Sequence, residues 1–350
     1  MITFYLAVFL AAAILSYLLT KFFRFFALRI GAVDYPDERK IHKEPVARLG
    51  GVALFIAFFT IVFLLVPLDK HLLGLFIGAF ILLFFGVMDD IFNLKPVTKF
   101  LGQISAALVI VASGIGINFI TNPLGGIIHL DTIKIPLEFW GTTYHVTFWA
   151  DLFTIFWILV LINSINFLDG LDGLAGGVSG IAGFIIFLLS FQPDISQPQT
   201  ALLALVIAGA CFGFLPLNFH PAKIFMGDSG SMFLGFILAV LAIFSGGKIA
   251  TALLVLGLPI LDVLWAVIRR VLKGSSVFKA DKRHLHHALL NKGLTQRQTV
   301  MFFYVISLAF GIIALISKTF SKFIAFVFLF ILVAALIFFL YFLDAKNRLT

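Results

Sequence analysis

Asn163-Ser164-Ile165-Asn166-Phe167-Leu168-Asp169-Gly170-Leu171-Asp172-Gly173-Leu174-Ala175-Gly176-Gly177 decides how the chain is read. One apolar run leads into it and another leads out of it. Amides, two carboxylates and four glycines therefore stand where hydrocarbon should begin, and polar groups at a membrane boundary are costly and mark function. The composition agrees. Of 350 residues, 61% are hydrophobic and 12% charged, with a mean hydropathy of +1.12, whereas a soluble chain carries about a quarter charged residues. The sequence predicts an all-α polytopic membrane protein, read as one domain over 1–350. Its lone cysteine, Cys211, excludes internal disulfides and cysteine-based metal sites. The net charge of +8 matters through its distribution and is not read as nucleic-acid binding.

A membrane helix needs about 20 apolar residues. Working outward from the opening stretch, spans are predicted at 2–26, 50–67, 71–88, 101–121, 149–167, 174–192, 199–217, 229–246, 249–268, 299–317 and 321–343. The first runs straight into a basic loop and is read as a retained helix. Of the 25 Lys and Arg, only Lys70, Lys134, Lys248, Lys318 and Lys322 fall on one side of this layout. The positive-inside bias then puts the N-terminus outside and the C-terminus in the cytoplasm. The longest outer segment, 122–148, combines turn residues with alternating apolar positions and predicts a short hairpin.

The unusual polar residues gather on the predicted cytoplasmic side. The first loop, Asp34 to Gly51, mixes cations with prolines and glycines and suits phosphate, or is simply a solvated basic loop. Asp89-Asp90 ends a span. Adjacent carboxylates repel, so such a pair serves a metal or a proton transfer unless it is merely a solvated helix end. In the opening stretch, Asn166, Asp169 and Asp172 recur every three residues, which keeps them near one side of a helical turn. A helix cap at Asp172 would explain only one of those acids. Asp228, between Gly227 and Ser229 at a predicted helix start, is either a cap or a cation ligand near a phosphate-favouring terminus. His284-Leu285-His286-His287 beside Arg283 suits phosphate and sugar hydroxyls better than a closed zinc site. Asp262 follows Pro259 inside a span and is read as paired with a neighbouring helix rather than open to a cavity.

Together and in this order, Asp89-Asp90 with Asn93 and Lys99, Asn163–Gly173, Asn218–Ser231 and the 284–287 run resemble the polyprenyl-phosphate N-acetylhexosamine-1-phosphate transferases. The branch resembled is the bacterial one that starts O-antigen, common-antigen or teichoic acid synthesis. Leu285 and Ala288 depart from the three consecutive histidines and following acid of the peptidoglycan enzyme, which remains the alternative. The resemblance implies a UDP-N-acetylhexosamine donor, with N-acetylglucosamine expected. It also implies an undecaprenyl phosphate acceptor, Mg²⁺ or Mn²⁺, and a bacterial inner membrane with the site on the cytoplasmic face; a homodimer is left open. Asp228, with Asn166 beside it, is implied as the metal ligand, and Phe225, Asn218 and Asp172 as the uridine pocket. Lys99 would hold the pyrophosphate, and Asp89 and Asp90 would serve the acceptor phosphate as the base. His284, His286, His287 and Arg283 would face the sugar. Lys43 stands for the cation of the first loop, and Asp169 is grouped with the substrate-binding residues. The competing class is a secondary transporter, since broken helices and intramembrane acids fit one. A transporter places such groups near the midplane, however, and here they cluster at span ends.

Overall fold

The computed structural model describes residues 2–35, 45–139, 142–192, 195–244, 249–272, 274 and 284–347. Among them are thirteen helices: α1 Ile2–Ile30, α2 Gly50–Leu65, α3 Lys70–Phe92, α4 Pro96–Ala112, α5 Phe148–Leu168, α6 Leu174–Ser190, α7 Pro198–Asn218, α8 Gly227–Phe244, α9 Ile249–Val255, α10 Gly257–Leu272, α11 Leu285–Asn291, α12 Gln296–Ile316 and α13 Thr319–Asn347. The strands are β1 Val33–Asp34, β2 Val46–Ala47, β3 Phe119–Thr121, β4 Ile127–His129, β5 Lys134–Phe139 and β6 Thr142–Thr147, in three antiparallel pairs taken in chain order. The chain is a polytopic all-α membrane protein. Seven of its described helices are long and apolar enough to cross a membrane, and the bent pair α9–α10 makes an eighth candidate. The apolar helices α2, α4 and α6 have 16 or 17 residues. They therefore reach about 25 Å, short of a hydrocarbon core of roughly 30 Å.

Each predicted span falls on one of these helices, with two differences. The stretch predicted at 101–121 is helical only from Pro96 to Ala112. Ser113-Gly114-Ile115-Gly116 ends it, with Gly114 at φ +86°, and the remainder turns into β3. The stretch at 249–268 is broken at Leu256, where α9 and α10 meet at 82°. Pro259 lies in the first turn of α10, where its missing N–H costs nothing. The predicted hairpin in 122–148 is β5–β6, preceded by a second pair, β3–β4.

Local signals start the helices. Asp69 accepts the Leu72 N–H at the start of α3 (2.7 Å), and Thr295 with Gln298 forms a capping box before α12. The centre of the molecule is α8, buried continuously from Ser229 to Ile243, whereas α1 and α13 turn many large apolar side chains outward. Small residues let the backbones approach. A methyl group added at Gly235 would lie 2.6 Å from Ile162 Cα of α5, and one at Gly51 or Gly86 would overlap the backbone of Gly230 or Ser229. Helices α2 and α3 thus close on α8 near its N-terminal end and α5 at its middle, and the N-terminal end is where the polar residues collect. The β2 strand and the first turn of α2 join the segment before α8 through Phe225 N–H to Ala47 O (2.8 Å) and Gly51 N–H to Met226 O (2.9 Å).

Gly86→Val forces a side chain into the Ser229 backbone and is expected to cost about 1–3 kcal/mol. The exchange Val97→Ala, at an exposed position, should leave stability within about 0.5 kcal/mol. Thermal unfolding of the two variants in detergent checks the contrast.

Candidate active site

The α8 N-terminus is held by Asp90. Its Oδ1 accepts the Asp228 N–H (2.9 Å), and its Oδ2 accepts the Ser229 N–H (3.3 Å) and Oγ–H (2.7 Å). The first N–H groups of a helix have no partner within it, so a carboxylate from α3 meets both that need and the favourable end of the helix dipole. Gly227 has φ +69°, and a Cβ there would overlap the Asp90 carboxylate, so glycine is required twice over.

Asp89, the next residue back, turns to different partners. Its Oδ1 accepts the Leu94 N–H (2.8 Å), and its Oδ2 lies 3.2 Å from Lys99 Nζ. Lys99 stands in the first turn of α4 and reaches Asp228 Oδ2 at 2.8 Å, bridging α3 and α8. Asn166, in the last turn of α5, donates to Ser231 Oγ (2.9 Å). Asp169 follows at the C-cap of α5. Burial, then the negative charges of Asp228, Asp90 and Asp172, hold its carboxyl well above the usual carboxylate range, and Arg48 offsets this only in part.

These groups surround a cavity of about 750 Å³. Asp89, Asp90, Asn166, Asp169, Asp172, Asn218, Phe225, Asp228 and His287 all line it, and Lys99 joins through its two ion pairs. Thus α3, α4, α5, α7, α8 and the joining turns bring together most of the residues the sequence singled out. Lys43 and Arg283 lie outside the described residues.

The turn after α5 is latched on several sides. Asp172 Oδ2 faces His220 Nδ1 (2.8 Å) and accepts the Ala222 N–H (3.1 Å). Asn218 Oδ1 accepts the Gly173 N–H (3.1 Å), while its Nδ2 donates to Ile224 O (2.9 Å). Expected as a uridine contact, Asn218 borders the cavity with both ends of its buried amide engaged by backbone. Tyr304 of α12 donates to Gly173 O (2.6 Å).

The histidine run divides. His287 lines the cavity. His284 and His286 are buried and do not line it. His284 precedes α11 and stacks on Phe167 (centroids 5.4 Å apart). Its Nδ1 lies 2.9 Å from Asp262 Oδ2, and Asp262 Oδ1 accepts the Leu285 N–H (2.9 Å), so Asp262 has the partner its sequence position suggested. Burial, reinforced by His287 and His284, pushes the His286 pKa well below the ordinary histidine value, and its ring packs against Gly170. Of the three histidines expected to face the sugar, the structure brings His287 to the cavity, while His284 and His286 pack among α5, α10 and α11.

Arg24, Arg48, His220, Lys223 and Gln296 also line the cavity and were not singled out. A cation at the end of a span is what the positive-inside bias supplies anyway, so no local signal marked them. Arg48 pairs with Asp34 and donates to Asp90 O (3.3 Å).

A magnesium-type cation fits this donor set. Asp228, Asn166 and Asp169 offer hard oxygen atoms, and the acid cluster carries more negative charge than its described cations offset at Asp169. Among the described residues no group of three or more His, Cys, Asp or Glu side chains is placed to hold a metal ion by itself. Mg²⁺ is typically bound by one or two carboxylates together with substrate phosphates.

The sequence model of glycosyl transferase family 4 matches residues 72–246. A Bacillus subtilis protein described as a probable undecaprenyl-phosphate N-acetylglucosaminyl 1-phosphate transferase is 33% identical over 93% of this chain and 88% of its own length. A Mycobacterium tuberculosis decaprenyl-phosphate N-acetylglucosaminephosphotransferase is 37% identical over 85% of this chain and 78% of its own. An undecaprenyl-phosphate alpha-N-acetylglucosaminyl 1-phosphate transferase of Haemophilus influenzae is 31% identical over 83% of this chain and 81% of its own.

Tyr304→Phe removes one of two donors to the buried Gly173 carbonyl, which keeps the Gly177 N–H at 2.9 Å, and is expected to cost about 0.5–1.5 kcal/mol, read as a lower unfolding temperature in detergent. An unchanged melting curve would contradict the latch.

Proposed function

The chain belongs to glycosyl transferase family 4, and from that premise we propose that it transfers N-acetylglucosamine-1-phosphate from a UDP-sugar to a polyprenyl phosphate, releasing UMP. The observation that carries this reading is the meeting of Asp89, Lys99, Asn166, Asp169 and Asp228 at one cavity beside the N-terminus of the central helix. The names of the relatives support both the sugar and the lipid acceptor. The clustering of these groups at one end of the helices, rather than midway along them, supports an enzyme over a transporter. The Lys/Arg bias supports a cytoplasmic cavity, and the undecaprenyl acceptor supports a bacterial inner membrane.

The reaction exchanges one phosphoanhydride for another, so its overall free energy is near zero. The barrier is charge, because two anionic phosphates must meet. The acceptor phosphate oxygen attacks the sugar-bearing phosphorus of the donor, that phosphorus keeps the sugar, and the bond to the uridine-bearing phosphate breaks to give UMP. Lys99, between Asp89 and Asp228, is the cation positioned to hold the pyrophosphate, a fixed charge in a poorly solvated pocket. A phosphate monoester has a second pKa of about 6 and is largely ionised at neutral pH, so only a modest base is needed. Asp89 takes that role, while Asp90 is committed to the α8 terminus. Phe225 borders the cavity as the aromatic surface for uracil, and His287 faces the sugar. Mg²⁺ or Mn²⁺, held by Asp228 and Asn166 and completed by the substrate phosphates, would neutralise pyrophosphate charge.

In detergent with undecaprenyl phosphate, UDP-N-acetylglucosamine and Mg²⁺, wild type should release UMP. Asp89→Asn and Asp228→Asn should each lose at least about 100-fold while remaining folded. Chelation of the divalent cation should stop release, and Mg²⁺ or Mn²⁺ should restore it. Near-wild-type release by either variant contradicts the assignment, and no release from wild type with any UDP-N-acetylhexosamine contradicts the function.

A further inference from the structure

Asp262 takes no part in the chemistry above, yet it is a buried acid in a largely apolar helix, and such a group is costly unless its oxygens are engaged. Both are. Oδ2 faces His284 Nδ1 and Oδ1 accepts the Leu285 N–H, each at 2.9 Å. The acid sits in the second turn of α10, just beyond the 82° bend from α9. It therefore grips the N-terminal end of α11 from a helix whose direction is set by a break. His284, so held, lies parallel to His286 (interplanar 5°) and stacks on Phe167 of α5. His286 fills the space over Gly170, where an added Cβ would come within 2.5 Å of its Nε2. The next residue, His287, opens into the cavity.

We propose that Asp262 is a positioning residue for sugar recognition: it fixes the ring of His284 and the first turn of α11, and through them sets where His287 meets the donor sugar. A carboxylate only accepts, so His284 carries a hydrogen on Nδ1. The hydrogen bond locks the tautomer and orients the ring, as outer partners do for functional histidines. The contact also ties the bend of α9–α10 to the acidic turn after α5, because His284 and His286 pack on Phe167 and Gly170. This inference rests on the transferase reading for its kinetic effect, and on geometry alone for the tautomer.

Two measurements test it. Full-length protein with ¹⁵N-labelled histidine, with His284 assigned by comparison with His284→Gln, should show Nδ1–H for His284. Asp262→Asn should change that signal, because the amide NH₂ can face Nδ1 only as a donor. A wild-type His284 protonated on Nε2 alone overturns the proposal. In the UMP-release assay, Asp262→Asn should raise the KM for UDP-N-acetylglucosamine about tenfold, leaving the KM for the acceptor unchanged. His287→Ala should do the same, and the double variant should be no worse than the worse single, as expected of residues acting as one unit. His284→Phe, which keeps the stack on Phe167 but has no donor, should match Asp262→Asn and serves if that variant does not fold. A fall in kcat with both KM values unchanged, or effects that multiply in the double variant, overturns the proposal. If wild type releases no UMP while the tautomer is as stated, the functional reading fails and the contact stands.

Discussion

The Asp90 carboxylate against the N-terminus of α8 is the interaction on which the rest of the site depends. A helix that starts inside a bundle brings unpaired N–H groups with it, and a carboxylate buried among apolar helices brings an unmet charge. Each defect answers the other: Asp90 takes three hydrogen bonds from Asp228 and Ser229. The contact needs close approach, and glycine provides it at Gly227 and, one turn before Asp90, at Gly86. Once α8 is seated in this way, Asp228 has a fixed position relative to Asp89 and Lys99, and the cavity between them has a defined wall.

The opposite wall is the turn after α5, and it is held by a different means. Its backbone and side chains are latched to α7, α11 and α12 by Asn218, His286 and Tyr304. That rigidity lets it keep Asp169 among like charges, against the electrostatic preference of the group. The proposed divalent cation would balance the charge of acids that repel one another in this half-buried cavity. The same arrangement would repel a lone anionic substrate, so donor pyrophosphate and cation are best accommodated together.

Much of this was legible in the sequence because lipid-compatible helices leave so few places for polar residues. The spans followed from hydropathy, and the acids and amides of the site stood out against 12% charged residues. What was not legible depends on contacts between distant segments. Nothing in Asp89-Asp90 says that the second residue caps α8 while the first faces Lys99. Nothing in His284-Leu285-His286-His287 says that two rings pack inward and one opens to the cavity; that division comes from Asp262 on α10 and Phe167 on α5. Arg48 looked like an ordinary loop cation until its pairing with Asp34 and its place in the cavity wall were seen. The early end of α4 was missed for a local reason, since apolar residues continue past it, while the break at Leu256 lies three residues before Pro259, a residue of that span that could signal one.

The central claim is that the carboxylates around Asp228 and the phosphates of the donor bind one divalent cation jointly. The most direct measurement is Mn²⁺ binding, followed by electron paramagnetic resonance, to full-length protein with and without UDP-N-acetylglucosamine. The account requires weak Mn²⁺ binding alone, at least about tenfold tighter binding with the nucleotide sugar, as for typical coupled sites, and loss of that coupling in Asp228→Asn. Mn²⁺ affinity that ignores the nucleotide sugar, or coupling that survives in Asp228→Asn, would contradict it.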